Sequence, residues 1–117
     1  MAGDSAVIFF LILFICKVNS ESVYEGKRII DDKLIHRSEH VKMPFLSVRT
    51  EDVAFPKYYE DRDNIITAIN IIDNSEEGGS AEIDLGGVGL TYANVHLRSA
   101  LWGGFNFTVE IYGVNFN

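Results

Sequence analysis

The second half of the chain alternates apolar and polar residues with a period of two, and glycine-bearing turns interrupt the alternation. Every second residue is apolar in 105–111, and segments 81–85 and 93–97 follow the same rule. Because successive side chains of a β-strand point to opposite faces, this pattern predicts strands with one buried face. Segment 65–72 is rich in β-branched residues and apolar on nearly both faces, which is typical of a strand inside a two-layer core.

Turns separate these four predicted strands. Residues 73–79 read DNSEEGG, 86–89 read GGVG, and 102–104 read WGG. Glycine reaches left-handed backbone geometry, and Asp, Asn and Ser hydrogen-bond their own backbone, so these segments favour turns. Four strands with glycine-marked turns predict an antiparallel meander. The expected fold is all-β, a small antiparallel sandwich or open barrel.

The first third of the chain is less regular. Residues 27–43 mix charges with short apolar pairs and follow neither a helical nor a strand period, which favours short strands and loops. Pro44 and Pro56 mark breaks, because proline restricts the backbone of the residue before it. Between them we expect extended pieces at 46–48 and 53–55, on either side of a polar turn at 49–52.

The chain starts with an apolar segment. Residues 6–16 form an unbroken apolar run of the length of a signal-peptide core, whereas a membrane-spanning helix needs roughly 20 apolar residues. The leading Asp4, without any Lys or Arg before the run, is atypical of a signal peptide; an uncleaved anchor or a buried helix is the alternative. We expect a signal peptide at 1–20, cleaved after Ser20, and a single β-rich domain at 21–117 that is secreted to the extracellular space.

The charge of the chain excludes two classes of partner, and its cysteine content bears on how the domain is stabilised. The net charge is −7, and an acidic domain is repelled by phosphate backbones and anionic lipid surfaces. We therefore expect no direct nucleic acid binding, and no membrane binding after signal removal. The only cysteine, Cys16, lies in the predicted signal. Without disulfides, a secreted domain of this size depends on its hydrophobic core.

The order of motifs in 63–113 carries a family resemblance. An ITAI strand ends in Asp73, a glycine-bearing turn and a strand closing on GGVG follow, and a strand ending in Arg98-Ser99 leads to GFNFTVEIYG. This order resembles the multiprotein bridging factor two (transcription activator) family, a group of small insect proteins that includes probable salivary secreted peptides. The first third matches the family loosely, through length and the segment VRTEDVAFP.

The resemblance implies two functions. The family name implies a transcriptional co-activator that bridges a DNA-bound regulator and the general transcription machinery, whereas many members look like secreted, often salivary, proteins. The chain has no Lys/Arg-rich nuclear signal and has a predicted export signal. We therefore expect a secreted, non-catalytic binding protein of extracellular fluid or saliva, whose partner is a protein or small ligand. The co-activator is the alternative.

No motif predicts catalysis, a metal or a cofactor. His36 and His40 are four residues apart, which could place two zinc ligands on one helix face, but the segment lacks HExxH and a helical period. The acidic turn 73–77 lacks the EF-hand spacing. No Ser/His/Asp order surrounds His96, and a hydrolase would need a nucleophile–base pair that the sequence does not suggest. We expect no enzyme, no metal site and no cofactor.

Two candidate surface features remain. A candidate binding surface consists of His96, Arg98, Trp102 and Tyr112. Asn106, in the only Asn-X-Ser/Thr sequon, is the candidate glycosylation site of a secreted product. The alternation of the last strand predicts a solvent-exposed Asn106, with the residues at 107 and 109 buried.

Overall fold

The structure, a computed structural model, describes residues 21–116, so the predicted signal peptide at 1–20 lies outside the described residues. The elements are β1 (Val23–Gly26), β2 (Lys33–Lys42), β3 (Thr50–Phe55), a 3-10 turn (Tyr59–Asp61), β4 (Asn64–Asp73), β5 (Ser80–Gly86), β6 (Ala93–Arg98) and β7 (Phe105–Asn115). Within 21–116 there is no helix long and apolar enough to span a membrane.

The seven strands in the described part of the chain form two antiparallel sheets. The four-stranded sheet has the order β1-β4-β7-β2, and the three-stranded sheet has the order β3-β6-β5. Buried side chains from both sheets form one core. The predicted all-β antiparallel fold is confirmed as an open sandwich that does not close into a barrel.

The predicted meander is wrong. Among the strands of residues 21–116, only β5 and β6 follow each other in the chain and also pair in a sheet, whereas β4 pairs with β7 and β1, and β2 pairs with β7. The chain therefore passes from one sheet to the other between β4 and β5 and again between β6 and β7. Alternation in a sequence tells which face of a strand is buried, but it does not identify the neighbouring strand.

The core confirms the predicted faces of the late strands. On β7 the inward side chains alternate as expected, and on β6 Val95 and Leu97 are fully buried. The largest fully buried side chains are Phe105, Phe107, Ile66, Ile69, Ile71, Leu97, Ile111, Val95 and Val109. Full burial of a Phe, Ile, Leu or Val side chain contributes about 1.5–3 kcal/mol to stability. This core stabilises the domain without disulfides.

β5 departs from its predicted alternation. A bulge between Ile83 and Leu85 shifts the register against β6, and Leu85 is 61% exposed while Ile83 packs against the core. A bulge adds one residue to a strand and reverses the side chains that follow it. The expectation that Leu85 shares the buried face of Ile83 is therefore wrong.

The first third is more regular than predicted. β2 is one ten-residue strand along β7, and the predicted polar turn at 49–52 is wrong because Thr50 to Asp52 lie in β3. The inward positions of β2 are His36, Ser38 and His40, which pair with buried residues of β7. Hydrophobic periodicity could not reveal a strand whose core-facing side is polar.

Candidate functional site

The outer face of the three-stranded sheet carries a polar cluster. Residues that lie opposite one another in an antiparallel pair share a face, and both Asp52 of β3 and Glu82 of β5 lie opposite His96 of β6. Asn94 lies two residues before His96 and therefore on the same side. We call the outward residues Asp52, Glu82, Asp84, Asn94, His96 and Arg98 the His96 face.

Hydrogen bonds join the three strands of the His96 face. The His96 Nδ1 atom lies 2.9 Å from Asp52 Oδ1, and the imidazole N–H donates to this carboxylate. Asn94 Nδ2 donates to Asp52 Oδ1 at 3.1 Å and to Asp84 Oδ1 at 2.7 Å. One amide thus holds together two carboxylates that are far apart in the sequence.

The same contacts shift two pKa values. The hydrogen bond to Asp52 raises the pKa of His96, and the negative charges of Asp52, Asp84 and Glu82 raise it further, against a smaller opposing effect of burial. The His96 and Asn94 hydrogen bonds lower the pKa of Asp52. His96 therefore holds its proton to a higher pH than a free histidine does, and it partly neutralises an acidic face.

The His96 face is also the place where a metal ion could bind. Ligand atoms of Asp52, Asp84 and His96 all lie within 4.8 Å of one another, and carboxylates with an imidazole suit divalent cations. However, the Asn94 amide and the His96 N–H already donate to these carboxylates. The cluster is thus satisfied by its own donors, and the absence of a metal stays a prediction.

A shallow groove lies beside His96. Its volume is about 280 Å³, and Ser80, Ala81, Glu82, His96 and Arg98 line it. Ligand pockets for drug-sized molecules measure roughly 300–1,000 Å³ and are mostly apolar. This groove is smaller and mostly polar, and it presents charges of both signs. It suits a charged side chain of a protein partner better than a small apolar ligand.

The four predicted binding-surface residues lie on three surfaces. His96 and Arg98 lie together on the His96 face, because residues two positions apart on a strand point to the same side. Tyr112 lies on the outer face of the other sheet, where the Arg28 guanidinium sits 3.9 Å from its ring centre. Trp102 lies in the loop between β6 and β7. Binding by any of them stays a prediction.

Trp102 belongs to an exposed apolar end of the sandwich. The loops 43–49, 74–79 and 99–104 meet there: a Cβ on Gly104 would lie 2.1 Å from Lys42 O, so only glycine allows this approach. Trp102 is 65% exposed and has a φ of 69°, which is rare for a residue other than glycine. The exposed apolar side chains, which we call the Trp102 end, are Met43, Phe45, Leu46, Leu101 and Trp102.

The opposite end of the sandwich exposes a second apolar set. We call it the Tyr59 end; its exposed side chains are Ile29, Ile30, Tyr58, Tyr59, Val88 and Leu90. Hydrogen bonds of 2.8 Å tie Leu90 and Gly89 to Ile66 of β4. The Arg62 guanidinium lies 4.5 Å from the ring centres of both Tyr59 and Tyr92. Exposed clusters of apolar side chains commonly mark protein interaction sites.

The sequon lies on the predicted face of β7 but is partly covered. Phe107 and Val109 are fully buried, which confirms the register, whereas Asn106 is half-buried and not substantially exposed as expected. Asn74 causes the cover: its Nδ2 donates to Thr108 Oγ1 at 2.8 Å and to Asn106 Oδ1 at 3.3 Å. Glycosylation of Asn106 stays a prediction.

Sequence reasoning missed Asp52, Asp84 and Asn94 as partners of His96. Asp84 and Asn94 were recognisable as outward residues of two predicted strands, but Asp52 was assigned to a turn. The contact between Asp52 and His96 depends on the pairing of β3 with β6, which no local pattern encodes.

Residues 25–113 match the model of a protein family described as Transcription activator MBF2. The match runs from β1 into β7, so the predicted resemblance of 63–113 is confirmed and extends through most of the first third. No curated protein and no solved structure matches the chain.

Proposed function

Because the chain belongs to the transcription activator MBF2 family, we propose that it is a transcriptional co-activator that bridges a DNA-bound regulator and the general transcription machinery. The match over residues 25–113 carries this proposal. It also overturns the expectation of a secreted binding protein of extracellular fluid or saliva. That expectation rested on the predicted export signal and on the lack of a Lys/Arg-rich nuclear signal. Both features bear on where the chain is sent, and neither says what its domain binds.

A bridge needs two separate contact surfaces, and the ends of the sandwich supply them. The Trp102 end and the Tyr59 end lie at opposite ends of the ten-residue strand β4. At about 3.3 Å per residue they are about 30 Å apart. Trp and Tyr are enriched among the residues that dominate protein interfaces. Two partners can therefore bind at once without overlapping.

The charge of the chain suits a bridge that leaves DNA contact to its partner. With a net charge of −7 and acidic side chains on the His96 face, the domain is repelled by the phosphate backbone. We propose that it reaches DNA through a protein and that the co-activator role depends on binding alone. The predicted signal peptide at 1–20 would direct the chain out of the cell, whereas the co-activator proposal requires a form that is found in the nucleus.

A transcription reporter tests the bridge. The assay measures activation by a DNA-bound regulator, with this chain supplied as a separate protein. It compares three variants: Trp102→Ser at one end, Tyr59→Ser at the other, and Tyr24→Ser as a matched control. Tyr24 is 64% exposed on the short strand β1, away from both ends. Loss of an aromatic anchor costs about 2 kcal/mol, or about 30-fold in affinity. We expect both end variants to lose activation and the control to keep it.

Fusion of each variant to a DNA-binding domain then separates the two contacts. Fusion replaces the contact with the regulator, so it should rescue the variant of the end that binds the regulator and leave the other end variant inactive. Rescue of both end variants, or of neither, would contradict a two-ended bridge. Failure of the fused wild-type chain to activate transcription would contradict the co-activator role itself.

A further inference from the structure

The open edge of the sandwich holds a second polar cluster, which the proposed function does not use. On β2, His36, Ser38 and His40 face inward, opposite Ile111, Val109 and Phe107 of β7. All three polar side chains are half-buried. Glu51 lies opposite the buried Leu97 on the inner face of β3 and reaches the cluster from the other sheet.

These four side chains form a continuous hydrogen-bonded row. His36 Nε2 lies 2.8 Å from Ser38 Oγ, and Ser38 Oγ lies 2.6 Å from His40 Nε2. His40 Nδ1 bonds to Glu51 Oε2. The row therefore runs from one sheet to the other.

When His40 is neutral, the carboxylate at the end of the row sets the direction of each hydrogen bond. An ionised carboxylate only accepts, so His40 Nδ1 carries a proton and donates it to Glu51. In a neutral imidazole the other nitrogen is an acceptor, so the Ser38 hydroxyl donates to His40 Nε2. Ser38 Oγ then accepts from the His36 Nε2 proton. Burial lowers the pKa of His36, and the positive charge that His40 carries when it is protonated lowers it further.

A serine hydroxyl that donates to a histidine, oriented by a carboxylate, is the arrangement that activates serine for attack. The serine–base distance of 2.6 Å lies within the range that proton transfer requires. We propose that Ser38 is a base-activated nucleophile that accepts an acyl group from an activated ester. This inference rests on the row alone and is independent of the co-activator role.

The acylation step balances within the row. The Ser38 Oγ atom forms a bond to the ester carbonyl carbon while its proton passes to His40 Nε2. Glu51 stabilises the resulting imidazolium. The bond between the carbonyl carbon and the leaving oxygen then breaks, and His40 returns the proton to that oxygen. An ester and a serine give an acyl-serine and an alcohol, with no oxidant or reductant.

The row lies along an edge of the sandwich and is partly exposed to solvent. β2 and β3 are each the last strand of their sheet, so the row lies along an edge, where the His40 side chain is 14% exposed. Edge strands also present backbone N–H groups that the sheet does not pair, and such groups can stabilise an oxyanion. The His36 ring is held in place by an edge-on contact with Phe55 at 5.6 Å between ring centres.

The test uses the full chain and p-nitrophenyl acetate. Release of p-nitrophenolate gives the rate, and peptide mass spectrometry locates the acetyl group. Ser80, an exposed serine on β5, is the matched control. We expect acetylation at Ser38 and not at Ser80, and loss of the fast release in Ser38→Ala but not in Ser80→Ala. His40→Gln should slow acylation about 10²–10⁴-fold, the usual contribution of a general base.

Glu51 acts through His40 and is a positioning residue, so its test compares a variant that removes the carboxylate with one that keeps it. Glu51→Gln should slow the acylation of Ser38, because the imidazolium loses its carboxylate partner, whereas Glu51→Asp should restore most of the rate. Should the variants fail to fold, wild-type protein in urea provides the comparison, since Ser38 should lose its advantage over Ser80 on unfolding. Equal labelling of Ser38 and Ser80 in the folded chain, or fast release that persists in Ser38→Ala, would overturn the proposal.

Discussion

Replacing Phe107 by alanine tests the packing between the two sheets. Phe107 has no exposed surface, and its ring centre lies 5.5 Å from that of Phe105. Truncation of a buried phenylalanine removes its transfer free energy and leaves a cavity, at a cost of about 3–5 kcal/mol. A domain of this size has a total stability of about 5–15 kcal/mol. Since 1 kcal/mol corresponds to about 4–8 °C, Phe107→Ala should lower the melting temperature by at least about 12 °C.

Urea and thermal unfolding, followed by circular dichroism, measure this loss. Phe116→Ala is the matched control, because it is the same truncation of a side chain that is 54% exposed. We expect the control to change the free energy of unfolding by less than about 0.5 kcal/mol. A loss below about 1 kcal/mol for Phe107→Ala, or equal losses for both variants, would refute the inward register of β7.

Three further predictions concern pH, metal and processing. The lowered pKa of His36 means that its contribution to stability is present above about pH 6.5 and is lost as the pH falls through its folded pKa, whereas the raised pKa of His96 gives stability below about pH 6.5 that is lost as the pH rises. Urea unfolding from pH 5 to 9 should therefore show an acid limb that His36→Gln flattens and an alkaline limb that His96→Gln flattens; unchanged limbs would refute these assignments. A chelator or a reductant should leave the melting temperature unchanged, because a chain with one cysteine forms no internal disulfide and the His96 face satisfies its own carboxylates; a fall of several degrees with a chelator would reveal a metal site. Any form that enters the secretory pathway should begin at Glu21 by N-terminal sequencing and should lose a glycosidase-sensitive mass in Asn106→Gln; an exported form that begins at Met1 would contradict the predicted cleavage.

The sequence predicted the faces of the late strands but not their neighbours. Alternation identified the buried sides of β6 and β7, because on these strands every core position is apolar. The pairing of β4 with β7 joins segments about 40 residues apart. Neither segment has a sequence pattern that identifies the other as its partner. The bulge after Ile83 was also hidden, because an extra residue leaves the alternation of letters intact.

The candidate site was predictable only where it lies on one strand. His96 and Arg98 share a face by the period of two, and the structure places them together on the His96 face. Asp52 is 44 residues from His96 and joins it only through the register of β3 and β6. Its pKa and that of His96 therefore depend on tertiary contacts, which composition and motifs do not describe.

β2 shows most clearly why polar core positions merit chemical scrutiny. Full burial of a leucine or isoleucine contributes about 1.5–3 kcal/mol, so each polar residue on the inward face of β2 forgoes part of that stability. Pattern reasoning treats such a strand as irregular, which is why 27–43 was predicted as short strands and loops. Yet His36, Ser38 and His40 recur at every second position, and their hydrogen bonds satisfy one another and Glu51. β2 gives up apolar burial at three successive inward positions and instead forms one hydrogen-bonded row. Departures from the local hydrophobic pattern are expected at functional sites.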